Sequence, residues 1–162
     1  MRFSASVIAY FFSINNVCKI HPINNINTNI YHYKPEYDDY RYKSKKRKVY
    51  KKYKKYTNLV QDHHIIPKQW KKHKLITSIN FDINSSNNLV IMPTPKTFLY
   101  FNFNPNIRTH YIGHPKYNIY VKEFLDKIDE LQSLDEKKFY FWLFFIYLKE
   151  NCIYLNNNIP WN

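Results

Sequence analysis

Asp62-His63-His64-Ile65-Ile66-Pro67 is the stretch on which the reading of this chain turns, and His110-Tyr111-Ile112-Gly113-His114-Pro115 answers it further along. Four of the seven histidines lie in these two clusters. Histidine is the commonest metal ligand and the side chain best placed to take a proton near neutral pH. A doublet plus an H-x-x-x-H pair can supply one general base and up to three metal ligands, which is what cutting a phosphodiester requires.

The residues around the clusters have the organisation of a domain. Asn58-Leu59-Val60-Gln61 reads as a short strand delivering the doublet, and Pro67 to Lys74 has room for one helical turn. Asn84-Ser85-Ser86-Asn87-Asn88 is a polar turn, and Leu89-Val90-Ile91-Met92 a second buried strand stopped by Pro93. A long loop to about Arg108 follows. Pro115 suits the first position of a helix, where its missing N–H costs nothing. Beyond it Tyr117, Val121, Phe124, Leu125, Ile128 and Leu131 recur at helical spacing on one face. Gly113 and Pro115 argue against one helix through both histidines, so His114 is predicted at the helix start and His110 on the loop before it. Ser133 and Glu136 match a capping box opening a second helix, apolar all round from Phe139 to Leu148.

Composition narrows the partner. At 162 residues the chain has room for one domain. Its net charge of +13, with aromatics at 19%, points to a polyanion: a nucleic acid or an anionic membrane surface. The single glycine, Gly113, excludes a Gly-rich phosphate loop or dinucleotide fingerprint. The excess of Asn, Ile, Lys and Tyr reads as an AT-rich genome. Cys18 and Cys152 read as separate reduced thiols, with pairing in an oxidising compartment as the alternative. An apolar run from Phe3 to Ile14 is short for a bilayer span of about 20 residues. It lacks a small-x-small cleavage site, so a packed or membrane-touching segment is favoured over secretion. Residues 21–40 are Asn-rich and read as irregular.

Between Arg41 and Lys55, ten of fifteen residues are basic. Alone this run reads as a solvated, disordered arm. Beside a histidine site, Arg41, Lys45, Lys46, Arg47, Lys48, Lys51, Lys52, Lys54 and Lys55 read as phosphate contacts or an import signal, with binding that weakens steeply in salt. Tyr50, Tyr53 and Tyr56 either stack on bases or share a helix face. The Phe139–Leu148 segment spans about 15 Å as a helix. It reads as a core helix or, through Phe141, Trp142, Phe144 and Phe145, as a membrane-inserting or oligomerising one bracketed by Lys138 and Lys149.

Tandem histidines in a strand can simply be half-buried polar residues. The words His63-His64-Ile65-Ile66-Pro67, Asp82 to Pro93 and His110 to Asn118 nevertheless resemble, in this order, the AHH branch of the HNH/endonuclease VII superfamily of His-Me finger nucleases. Residues 57–131 carry the resemblance, and Asp62 departs from the Ala that precedes the doublet. The resemblance implies a catalytic pair in which His64 is the general base and Asn88 braces the loop holding it. His63, on the opposite side of the strand, would ligate or orient a metal that His110 and His114 complete. One divalent ion is implied: imidazoles suit zinc or nickel, and open water or carboxylate positions suit magnesium or manganese.

A His-His-Ile-Ile-Pro word after a Lys-rich stretch, with an apolar segment behind it, is also similar to a core protein of baculoviruses and nudiviruses linked to nucleocapsid envelopment. The predicted fold is a small α+β domain with a ββα-metal core, a basic N-terminal arm and an apolar C-terminal helix. Three segments are expected: 1–56 as the apolar, Asn-rich and basic arm, 57–131 as the nuclease-like domain, and 132–162 as the apolar helix and tail. Function is expected to be metal-dependent endonuclease chemistry on nucleic acid, DNA before RNA. The alternative is a non-catalytic viral assembly protein on the same fold, meeting a membrane or protein partner through its last helix. A viral protein of this kind is expected in the host-cell nucleus or elsewhere inside the cell, with membrane association as an alternative and secretion disfavoured.

Overall fold

A computed structural model describes residues 39–100, 106–110, 113–155 and 159–162. The apolar run at Phe3–Ile14, Cys18 and most of the Asn-rich segment lie outside the described residues.

The basic stretch is not an unstructured arm. It forms helix α1, Lys45–Tyr53, opened by Ser44, whose Oγ accepts from the Arg47 N–H at 3.2 Å. No apolar stripe could dock so basic a helix. Instead Arg47 turns inward to pair with Asp62, and Lys51 reaches the same carboxylate. The cause is local: Asp62 stands on the neighbouring strand facing α1, and a buried carboxylate requires cationic partners.

Strand β1, Val60–His64, pairs antiparallel with β2, Leu89–Pro93, with His63 opposite Val90 and His64 opposite Leu89. The doublet therefore lies within the first strand rather than just after it. A two-stranded sheet is marginal alone and needs a packed helix. That role falls to α3, Pro115–Asp129, while the connection between the strands contains a 3-10 turn at Lys68–Lys72, the short helix α2 at Lys74–Ser78, and a 3-10 turn at Ser86–Asn88. Pro115 occupies the first helical position, as expected, and Tyr117, Val121, Phe124, Leu125 and Ile128 are buried along one face of α3. Ile65, Ile66, Leu75 and Met92 are likewise buried, all at 0% exposure.

Helix α4, Leu134–Asn151, starts at Ser133, but its hydroxyl accepts from Asp135 N–H, one residue before the capping-box position. Its aromatics follow the core-helix reading of this segment. Phe141, Phe144 and Phe145 are buried and Trp142 is half-buried. Phe144 stacks on Phe124 of α3 at 4.5 Å, and Phe141 and Trp142 meet Phe81 edge-on. These rings are spent on the protein's own core, and a membrane partner for them gains no support. Among the described residues, no helix is long and apolar enough to cross a membrane. Cys152, just past α4, is a free buried thiol whose pKa burial pushes up to about 12.

Candidate active site

Three elements bring the predicted ligands together. His63 comes from β1 and is 2% exposed. His110 lies on the loop before α3, held because its N–H donates to the Pro93 carbonyl at 2.8 Å, which extends the end of β2. His114 is the N-cap of α3. One ring nitrogen from each of the three lies within 4.8 Å of the others. His114 Nε2 and His63 Nδ1 are 2.9 Å apart.

This donor set fits a metal ion. Each imidazole offers one ring nitrogen to a common point, and the facing pair, His114 Nε2 and His63 Nδ1, is close enough to share one ion, while the far nitrogens of those two rings and His110 Nδ1 are buried without a hydrogen-bond partner. Burial holds the His63 pKa well below the usual imidazole value, reinforced by the charges of His114 and His110. His110 is lowered chiefly by burial, and His114 falls to about 4 through burial, then His110 and Arg108. All three are therefore neutral at physiological pH, the form that ligates.

Sequence reading missed the wall around these rings. The Trp161 ring packs 4.4 Å from His114 and 5.1 Å from both His63 and Tyr117. The Arg108 guanidinium lies 4.8 Å above the same indole. Arg108 is itself buried, donating from Nε to the Tyr154 carbonyl at 2.7 Å and from Nη2 to the Ile159 carbonyl at 2.8 Å. Tyr117, read only as a core residue, also donates its hydroxyl to the Ile65 carbonyl just after the doublet. No local pattern could have flagged Arg108 and Trp161, because their partners are distant in sequence.

His64 points the other way along β1 and is half-buried. Burial lowers its pKa, and the Lys68 ammonium lowers it further. Its Nε2 atom is buried without a hydrogen-bond partner. Tyr42 meets the His64 ring edge-on, with centroids 4.5 Å apart. Asn88 is fully buried and braces the two ends of the strand connection. Its Oδ1 accepts from Ile66 N–H at 2.7 Å, while Nδ2 donates to the carbonyls of Ile66 at 3.0 Å and Ile83 at 2.8 Å. Its bonds thus go to backbone, which makes it a positioning residue. His73, outside both clusters, is accounted for by its bond to Asp126 and by capping α2.

The basic residues divide. Arg41 pairs with Asp82 at 2.8 Å and Lys46 with Asp39. Arg47 and Lys51 are both committed to Asp62, so Arg47 in particular is turned away from any polyanion. Burial raises the Asp62 pKa, but Arg47 and Lys51 outweigh it and hold the carboxyl below its ordinary value. Lys45, Lys48, Lys52, Lys54 and Lys55 are exposed.

Residues 44–140 match the model of a nuclease family of the HNH/ENDO VII superfamily with conserved AHH. No curated protein and no solved structure matches the chain significantly, and the similarity to baculovirus and nudivirus core proteins gains no support. The match opens at the cap of α1, takes in both histidine clusters and ends inside α4, covering more than half of the sequence. The chain therefore belongs to this AHH nuclease family of the HNH/ENDO VII superfamily, with Asp62 preceding its paired histidines.

Proposed function

We propose that this chain is a metal-dependent endonuclease that hydrolyses phosphodiesters in DNA, with β1, β2 and α3 as a ββα-metal core inside the 57–131 segment. The observation that carries the reading is the convergence of His63, His110 and His114 from a strand, a loop and a helix cap. These three would hold one divalent ion, which when bound neutralises charge on the non-bridging and leaving oxygens of the phosphodiester.

The chain's own residues supply the rest. His64, kept neutral by burial and by Lys68, takes the proton of the attacking water on its imidazole ring. As the water oxygen bonds to phosphorus, the bond to the departing deoxyribose oxygen breaks, and that oxygen leaves with the electron pair and takes a proton from solvent. General-base catalysis of this kind contributes about 10²–10⁴-fold. Asn88 keeps the connection after β1 from shifting His64, and Trp161 excludes water from the ligand rings.

Supercoiled plasmid incubated with the protein and magnesium, manganese, zinc or nickel tests the reading. Nicking is expected with at least one metal, and His64→Ala should abolish it while leaving the circular dichroism spectrum intact. Absence of nicking with all four metals would overturn it.

A further inference from the structure

The surroundings of His64 contain a group that proton transfer leaves unused. Two ammonium groups lie over the Tyr42 ring, Lys43 Nζ at 5.5 Å and Lys68 Nζ at 5.4 Å from its centroid. That same ring meets His64 edge-on. Lys43 follows Tyr42 directly, whereas Lys68 opens the 3-10 turn after β1, so only the fold brings the two cations together.

The tyrosine is held firmly. Its N–H donates to the Asn84 carbonyl at 2.9 Å, and the preceding Arg41 is tied to Asp82. Lys43 adopts φ 63°, a left-handed conformation that is unfavourable for a non-glycine residue. The strained turn fits Lys43 between Tyr42 and the Ser44 cap. Both lysines are exposed, and neither is ion-paired to a carboxylate among the described residues. Two like charges on one aromatic ring repel each other, and the ring quadrupole offsets only part of that repulsion. A phosphate beside them would relieve it.

We propose that Lys43 and Lys68, seated on Tyr42, form a phosphate clamp that grips the nucleic-acid backbone next to the phosphodiester presented to His64. The clamp rests on the nuclease reading for its position, but it is a binding site in its own right. A lysine ammonium recognises phosphate as a point charge, so the grip positions the strand without reading its sequence. The basic face of α1 then extends the same track, because Ser44 joins the clamp to that helix.

The test measures binding of a fluorescein-labelled 20-base-pair DNA duplex by anisotropy in EDTA across a salt series, with plasmid nicking followed separately in metal. The full chain carrying Lys43→Gln and Lys68→Gln together is expected to bind more weakly, and its log–log salt slope should fall by about 0.9 per lost phosphate contact. Tyr42→Ala should weaken binding as well, while Tyr42→Phe, which keeps the ring, should restore it. Lys127→Gln, at the far end of α3, is the control and should bind as wild type does.

Unchanged affinity and slope in the double variant, or an equal loss in Lys127→Gln, would overturn the clamp, as would absence of duplex binding by the wild type. Thermal melts identify a variant that fails to fold, and single substitutions then replace the pair. The two ideas can fail separately. A protein that nicks but ignores the double substitution refutes the clamp alone. One that binds through these lysines and never nicks refutes only the enzyme reading.

Discussion

Arg47 sets Nε at 2.9 Å and Nη2 at 2.8 Å from one carboxylate oxygen of Asp62, the residue directly before the paired histidines. Lys51 takes the other oxygen at 2.7 Å, and the Arg47 and Asp62 side chains are each only 9% exposed. The basic helix is thus bonded to the strand that carries the doublet.

Asp62→Ala should cost about 3 kcal/mol, because it leaves two cations facing each other without their carboxylate. Urea unfolding at neutral pH measures the loss. An unchanged midpoint would mean that the pair contributes no net stability.

The same carboxylate makes stability depend on acid. Its folded pKa lies below the ordinary value of 3.8, so the native state holds its charge where the unfolded chain has begun to take up a proton. The stabilisation is complete above that ordinary value and disappears as pH falls through the lower folded one. Asp62→Asn should therefore be less stable than wild type at pH 6, with the gap closing below about pH 4. Parallel urea titrations at several pH values would reveal it.

Trp161 offers a direct report on the histidine centre, since its indole packs against two of the three rings. Nickel or copper binding should quench its fluorescence, and Trp161→Phe should remove that part of the signal. Trp161→Ala is expected to weaken metal affinity by about 10-fold, the low end for groups that support ligands from behind. Isothermal titration would measure it, and equal affinities would rule out a supporting role for the indole.

Asn88→Ala strips partners from the Ile66 N–H and from two buried carbonyls. A loss of about 3 kcal/mol is expected, at 1–3 kcal/mol for each stranded group with some relaxation. Nicking should fall along with stability, whereas metal affinity should hold, because Asn88 makes no bond to the three ligand histidines. A parallel loss of metal would place Asn88 in the ligand support instead.

Phe144→Ala should destabilise the fold by about 3–5 kcal/mol, the usual cost of emptying an aromatic core position. Intact protein should not float with neutral phosphatidylcholine vesicles through α4. Flotation that survives in Phe144→Ala but is lost in an exposed-face variant such as Ile146→Lys would return that helix to the membrane.

Local pattern carried much of this protein. Alternation in β1, the polar turn before β2, Pro115 at the start of α3 and the three- and four-residue spacing from Tyr117 to Ile128 are short-range signals, and each element formed close to where those signals put it. The placement of His110 and His114 was legible for the same reason: an H-x-x-x-H broken by glycine and proline has to place one imidazole on a loop and the next on a helix cap. Residues 41–55 misled because a run of like charge reads as solvated unless its counter-charge is in view. That counter-charge, Asp62, lies across the fold.

The amino-acid order by itself determined that a helix would follow two strands and that imidazoles would stand at the joints, since these depend on backbone preference over a few residues. Tertiary structure alone decided that Arg47 would face inward, that the aromatics of α4 would fill the core, and that Arg108 and Trp161 would close over the rings. Those outcomes depend on which distant groups share a dry interior, where charge must find its opposite and apolar surface must find cover.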